Sequence, residues 1–127
     1  LPIVLGNYVE VRDGKTEKFD IESFNHGSAT RKVIAIFNQI GLGEDLIRAR
    51  DGRNIRAGKG TMRGRVHKTP KSILLVVKEK SGLAHAARNL PGVDVVAARD
   101  LCAEDLAPGG AIGRLTVFTK DAVEALN

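Results

Sequence analysis

The sequence predicts an α/β fold: three layers, with a mostly parallel sheet, helices on both of its faces, and a long basic loop at about residues 49–71. Three observations lead there. Short apolar runs bounded by Gly or Pro alternate along the chain with segments whose apolar residues recur at helical spacing. The run Ile73–Val77 is apolar on both alternating faces, as a central strand covered on two sides must be. The order strand, helix, strand, helix, strand, helix leaves connections long enough for right-handed crossovers between parallel strands. At 127 residues the chain fits one domain, 1–127. That length hides roughly two-thirds of the unfolded surface.

The first run, Pro2–Leu5, is a short buried strand ending at Gly6. Between Tyr8 and Ile21, Asp13-Gly14 separates "YVEV" from "FDI" and signals a hairpin, without fixing its register. Ser28 is placed to cap a helix running to Ile40, with Ala29, Val33, Ile36, Phe37 and Ile40 on one face. The glycines of Gly41–Gly43 end it. "DLIRA", Asp45–Ala49, reads as a brief strand before the basic segment.

Beyond Pro70, Ser72–Val77 is the central strand, and Ser81–Asn89 a short helix with Leu83, Ala84, Ala87 and Leu90 near one face. Val93–Ala97 supplies the next strand, and "AEDLAPGG" a single helical turn broken by Pro108 and two glycines. Leu115–Phe118 is the last strand. Thr119 is positioned to cap a final helix through Leu126, with Asp121 favourable in its first turn.

Composition narrows the function. The apolar fraction of 43% and charged fraction of 28% are those of a soluble globular domain. No apolar run approaches a bilayer-spanning length, and the start lacks the basic and apolar regions of a secretory signal. The chain opens on Leu1, which suggests processing or a fragment. With Cys102 the only cysteine, no internal disulfide can form, and a reducing cytosolic setting is the simplest reading.

Charge is concentrated. Gly52 to Lys78 holds eight Lys or Arg and no Asp or Glu; the whole chain carries +5, leaving −3 for the remainder. A mildly acidic body with one cationic segment points to a polyanion, nucleic acid before membrane, because the segment lacks the large apolar face of a membrane-surface helix. An uncontacted solvated loop is the bland alternative. It requires eight like charges held together without a counter-charge.

Within "RNIRAGKGTMRGRVHKTPKS", Arg53–Ser72, the centre "AGKGT" looks like a nucleotide-binding loop. It fails both patterns. A P-loop needs Gly where Arg53 stands and Ser or Thr where Gly60 stands; the dinucleotide pattern has its third glycine, Gly64, one position late. What remains suits phosphates on a polymer: glycines that expose backbone N–H donors, forked Arg donors and mobile Lys charge. The segment has no Phe, Tyr or Trp, so base recognition by aromatic stacking is not expected. Glycines and repelling cations offer it little to pack, so it is expected to be mobile without a ligand.

"IRAGKGTMRGR…KTPKSILLVV", then "AARNLPGVDVV", then "LAPGGAIGRLTVFTKDAVEAL" closely resemble, in that order, the C-terminal part of the universal large-subunit ribosomal protein four family in its archaeal and eukaryotic form. The resemblance covers about Ala29 to Leu126, and "LPIVL" also fits. It implies a structural component of the large ribosomal subunit, cytoplasmic with the ribosome, that binds large-subunit ribosomal RNA and neighbouring large-subunit ribosomal proteins. The family's long loop toward the peptide exit tunnel lies upstream of the "LPIVL" equivalent, so no tunnel role falls on these residues. Residues 6–27 do not match the family pattern and read as an insertion.

Carried over onto matching positions, the basic residues are Arg53, Arg56, Lys59, Arg63, Arg65, Lys68 and Lys71, the same ones that composition selects. His67 lies among them, placed to donate a hydrogen bond to phosphate, and Arg114, in "GGAIGRL", is an RNA contact or a cap on the sheet edge.

No catalytic residue, metal site, cofactor, small-molecule substrate or membrane partner is assigned. His26, His67 and His85 are scattered without Cys or carboxylate at ligand spacing, and His85 reads as helix surface. Glu104 and Asp105 are adjacent and point different ways on a helix. Cys102 reads as a small packed side chain. Two other readings stay open: a stand-alone RNA-binding regulator or chaperone using the same basic segment, and a small nucleotide- or methyl-donor-dependent enzyme.

Overall fold

The computed structural model describes the backbone of Ile3–Leu5, Val9–Glu10 and Thr16–Glu17, and residues 30–80 and 82–126. Ser28, Ala29, His26, Asp13-Gly14 and Ser81 lie outside the described residues. The chain is α/β. Among the described residues, eight strands and five α-helices follow in the order β1 (Ile3–Leu5), β2 (Val9–Glu10), β3 (Thr16–Glu17), α1 (Thr30–Gln39), α2 (Gly43–Asp51), β4 (Asn54–Ile55), β5 (His67–Lys68), β6 (Leu74–Val77), α3 (Gly82–Ala87), β7 (Asp94–Ala97), α4 (Ala103–Leu106), β8 (Thr116–Thr119) and α5 (Lys120–Leu126).

The main sheet is small and wholly parallel, in the order β1-β8-β6-β7. As the unbroken apolar run requires, β6 is interior to it and all four of its residues are buried. Alternation along β6 divides the apolar residues into two clusters. Ile73, Leu75 and Val77 join Val33 and Phe37 of α1, Leu46 of α2, Ala86 and Ala87 of α3, and Val117. Leu74 and Val76 join Ala98 and Ala122, with Val96, Leu101 and Phe118 packed alongside. β2 pairs antiparallel with β3, placing Glu10 opposite Thr16 on either side of the expected turn.

The brief strand expected at Asp45–Ala49 is instead the middle of α2. Leu46 and Ala49 are buried at three-residue spacing on one helix face, and Glu44 and Asp45 in the first turn with Arg48 and Arg50 in the last complement the helix dipole. A five-residue window is too short to show that period. Cys102 is exposed, not packed. It stands at the head of α4, where its backbone N–H and Sγ both donate to Asp105 Oδ2, at 3.2 and 3.1 Å. The Thr119 hydroxyl donates across the sheet to the Val76 carbonyl at 3.3 Å.

Gly92 sits where the main sheet meets the basic segment. Its φ is +76°, and a Cβ there would come 2.4 Å from the Pro70 carbonyl oxygen. Both the conformation and the space exclude a side chain. Gly92→Ala should therefore lower the unfolding free energy by about 2 kcal/mol or more. Leu75→Ala, at a position only 1% exposed, should cost about 2–5 kcal/mol. Denaturant unfolding checks both.

Candidate nucleic-acid interface

The basic segment folds back on itself. Asn54 pairs with Lys68 and Ile55 with His67 in an antiparallel ribbon, and the Arg56 N–H donates to the Val66 carbonyl at 2.8 Å to extend it. The tip closes around one acceptor: the Gly60 carbonyl receives the N–H groups of Arg63 at 3.2 Å and Arg65 at 3.0 Å. Thr61 Oγ1 donates to the Gly58 carbonyl at 3.0 Å. Gly58–Gly60 forms a single 3-10 turn inside this ribbon, between two antiparallel strands. A phosphate-cradling nucleotide loop joins a strand to a helix, so the topology agrees with the failed motif. The segment expected to lack packing of its own is thus a short hairpin held by backbone hydrogen bonds.

Arg53, Arg56, Lys59, Arg63, Arg65, His67, Lys68 and Lys71 are all exposed on or beside the hairpin. Among the described residues, Lys71 is the one of these cations in a salt bridge. Lys78, part of the same sequence run, lies past the far end of β6 and away from the hairpin root. Arg56, Arg65 and Lys68, with Asn54, Ile55, Ala57 and Gly60, line an open depression of about 420 Å³ on the hairpin.

The hairpin is rooted at the N-terminal ends of β6, β7 and β8. A Cβ on Gly52, at the end of α2, would fall 2.7 Å from Pro70 Cγ, so the two hairpin limbs meet closely there. Arg48 donates to the Lys71 carbonyl at 3.0 Å and to Asp45 Oδ1 at 2.8 Å; Ser72 Oγ donates to Asp45 Oδ2 at 2.7 Å. On the other side Asp94 Oδ2 accepts from Lys71 Nζ at 2.7 Å and from Arg114 at 2.6 Å.

Arg114 corrects one expectation. Its side chain is 5% exposed, and its guanidinium donates to the Ser72 and Asp105 carbonyls, each at 2.9 Å, besides Asp94. It is turned into the protein, tying the loop before β8 to the N-terminal ends of β6 and β7, and is not presented on the surface with the hairpin cations. Asp45, Ser72 and Asp94 were not singled out from sequence. The available signal was a polar residue, Ser72 or Asp94, at the entrance to an apolar strand.

His85 is exposed on α3, and no three potential metal-ligating side chains converge among the described residues. No helix among them is long and apolar enough to cross a membrane.

A sequence model of the ribosomal protein L4/L1 family matches residues 6–127. The chain belongs to the ribosomal protein L4/L1 family. It is 54% identical over 104 residues to large ribosomal subunit protein uL4 of Methanocaldococcus jannaschii, covering 82% of this chain and 41% of that protein. It is 52% identical over 95 residues to the uL4 of Halobacterium salinarum, covering 75% and 38%, and 48% identical over 97 residues to that of Thermoplasma acidophilum, covering 76% and 38%. The chain thus spans about two-fifths of the length of the curated relatives it matches. The L4/L1 match includes residues 6–27, the segment read from sequence as an insertion.

The hairpin root of this L4/L1 chain has a definite pH dependence. Burial acts to raise the Asp45 carboxyl, but hydrogen bonds from Arg48 and Ser72 outweigh it and hold the group below the usual carboxylate range. Burial likewise acts to raise the Asp94 carboxyl, and hydrogen bonds from Lys71 and Arg114 outweigh it and hold the group low. Both groups are more acidic folded than unfolded. Their contribution is therefore complete above the unfolded pKa, about 4, and is lost as pH falls through the lower folded values. Unfolding free energy should drop as pH is lowered from about 5 toward 2, and Asp94→Asn should flatten that dependence while reducing stability at neutral pH. Arg114→Ala should cost about 2 kcal/mol or more, since it leaves the Asp94 carboxylate and two carbonyls short of a donor. Arg114→Lys should not restore it, because one ammonium cannot span the three acceptors.

Proposed function

We propose that the chain is a structural component of the large ribosomal subunit that binds large-subunit ribosomal RNA, with the hairpin as its principal contact and phosphates as the principal ligand. The observation that carries this reading is the display of exposed cations from Arg53 to Lys71 on a self-closed ribbon with no carboxylate inside it. Coulomb repulsion among those groups is relieved by a polyanion, whose bound counterions are released on contact. The names of the archaeal relatives, large ribosomal subunit protein uL4, support the ribosomal setting. Neighbouring ribosomal proteins are the further partners, and the location is that of the ribosome in the cytoplasm.

The role assigned is structural and not enzymatic. In this reading Arg53, Arg56, Lys59, Arg63, Arg65 and Lys68 meet phosphates directly, with His67 as a further hydrogen-bond donor between them. Lys71 divides its charge between RNA and Asp94. The two apolar clusters on alternate faces of β6 support the three-layer arrangement of the supporting domain.

Affinity for a large-subunit ribosomal RNA transcript should fall steeply with salt. Replacing Arg56, Lys59, Arg63 and Arg65 together with Ala should flatten the log–log slope by about 3, at ~0.7–0.9 per phosphate contact, and leave the unfolding curve in place. An unchanged slope would remove the hairpin from the interface. Co-sedimentation with large subunits distinguishes a ribosomal component from a free-standing RNA regulator or chaperone.

A further inference from the structure

We infer that the depression on the hairpin is a seat for one unpaired nucleotide of the bound RNA, with the base on an aliphatic floor and its phosphate on the surrounding cations. The inference rests on the RNA-binding reading above and goes beyond it, since phosphate binding alone needs no depression. Three observations carry it.

The first is size and lining. The depression, about 420 Å³, is bordered by Arg56, Arg65 and Lys68, while Ile55, Ala57 and Gly60 contribute uncharged surface. That volume lies toward the lower end of small-ligand sites, about 300–1,000 Å³, which suits a single nucleotide better than a longer segment.

The second is the exposure of Ile55. It is 71% exposed although it lies within a paired strand. A β-branched apolar side chain left in water between cations gains by covering, and a nucleobase face supplies an apolar cover with polar edges. Met62 and Ile112 are more exposed still, but Ile55 is the large apolar residue that borders the depression, where a base would bury it.

The third is the fixed position of Arg56. Its Nε donates to the His67 carbonyl across the ribbon at 3.3 Å, and a Cβ placed on Gly60 would lie 3.7 Å from its Cδ. The guanidinium is therefore held against the ribbon with its remaining N–H groups unused by the hairpin. A planar guanidinium stacks on bases as aromatic rings do, so the lack of Phe, Tyr and Trp does not close this route. Asn54 completes the edge. Its amide nitrogen donates to the Gly52 carbonyl at 3.2 Å, which orients the group and keeps the amide oxygen as an acceptor for a base edge.

The test uses the whole chain and two RNAs of equal charge density: a fully paired duplex, and the same duplex with a single bulged 2-aminopurine. Bulged RNA should bind at least about fivefold more tightly, as expected for stacking one base, with quenching of the 2-aminopurine fluorescence. Ile55→Ala, at an exposed site, should abolish that preference and leave duplex affinity unchanged. Lys59→Ala, outside the depression, should weaken both RNAs alike. Equal affinity for the two RNAs in the wild type, with salt-dependent binding intact, would overturn the nucleotide seat and spare the phosphate-binding reading. Failure to bind either RNA would overturn both. Saturable binding of free adenosine monophosphate, with no preference for bulged RNA, would reassign the depression to a soluble nucleotide and defeat the inference.

Discussion

One carboxylate oxygen, Asp94 Oδ2, joins the hairpin to the sheet. It accepts from Lys71, the last cation of the hairpin, and from Arg114, which enters from the loop before β8. Arg114 in turn donates to the Ser72 carbonyl at the start of β6. The N-terminal ends of β6, β7 and β8 are thereby tied at one point just below the charged ribbon. Burial disfavours a carboxylate there, and two cationic donors more than offset that cost. Asp45 makes the matching connection on the α2 side through Arg48 and Ser72. The hairpin thus leaves the domain through a braced root, which is what allows so many like charges to be held in a set arrangement.

Within the hairpin, backbone bonds take over from side chains. The cross-strand pairs and the Gly60 carbonyl take up much of the hairpin's hydrogen bonding locally, and most of its cationic side chains stay exposed. Phosphate recognition follows from charge and donor geometry alone, and it is indifferent to sequence. In the proposed reading, the depression beside Arg56 and Ile55 adds what charge cannot: a place where one nucleotide differs from its neighbours. The two proposed roles would share the ribbon, and their energetics would separate. The first depends on salt, while the second depends on apolar cover and stacking.

Much of this was legible in one dimension. Apolar runs and periodicity located α1, β6, β7 and β8 to within a few residues, because burial on one or two faces imposes a repeat that a sequence displays directly, and capping residues located α5. α2 was missed since its signal spans barely two turns, and the ribbon was missed since strands of two residues carry no period. Arg114 resisted assignment for a different reason. A lone arginine beside glycines reads the same whether it faces solvent or three internal acceptors.

The sequence by itself determined the chain's class, its family resemblance and the run of uncompensated cations, because each depends on composition and local order. Only the tertiary structure decided which cations face outward and which is spent internally. It also decided that Ser72, Asp45 and Asp94 meet beneath the hairpin, and that Ile55 lies open beside Arg56. The contacts at the root join residues some 20 to 40 positions apart, and the ribbon joins limbs closed by its own turn; only the path of the folded chain sets either.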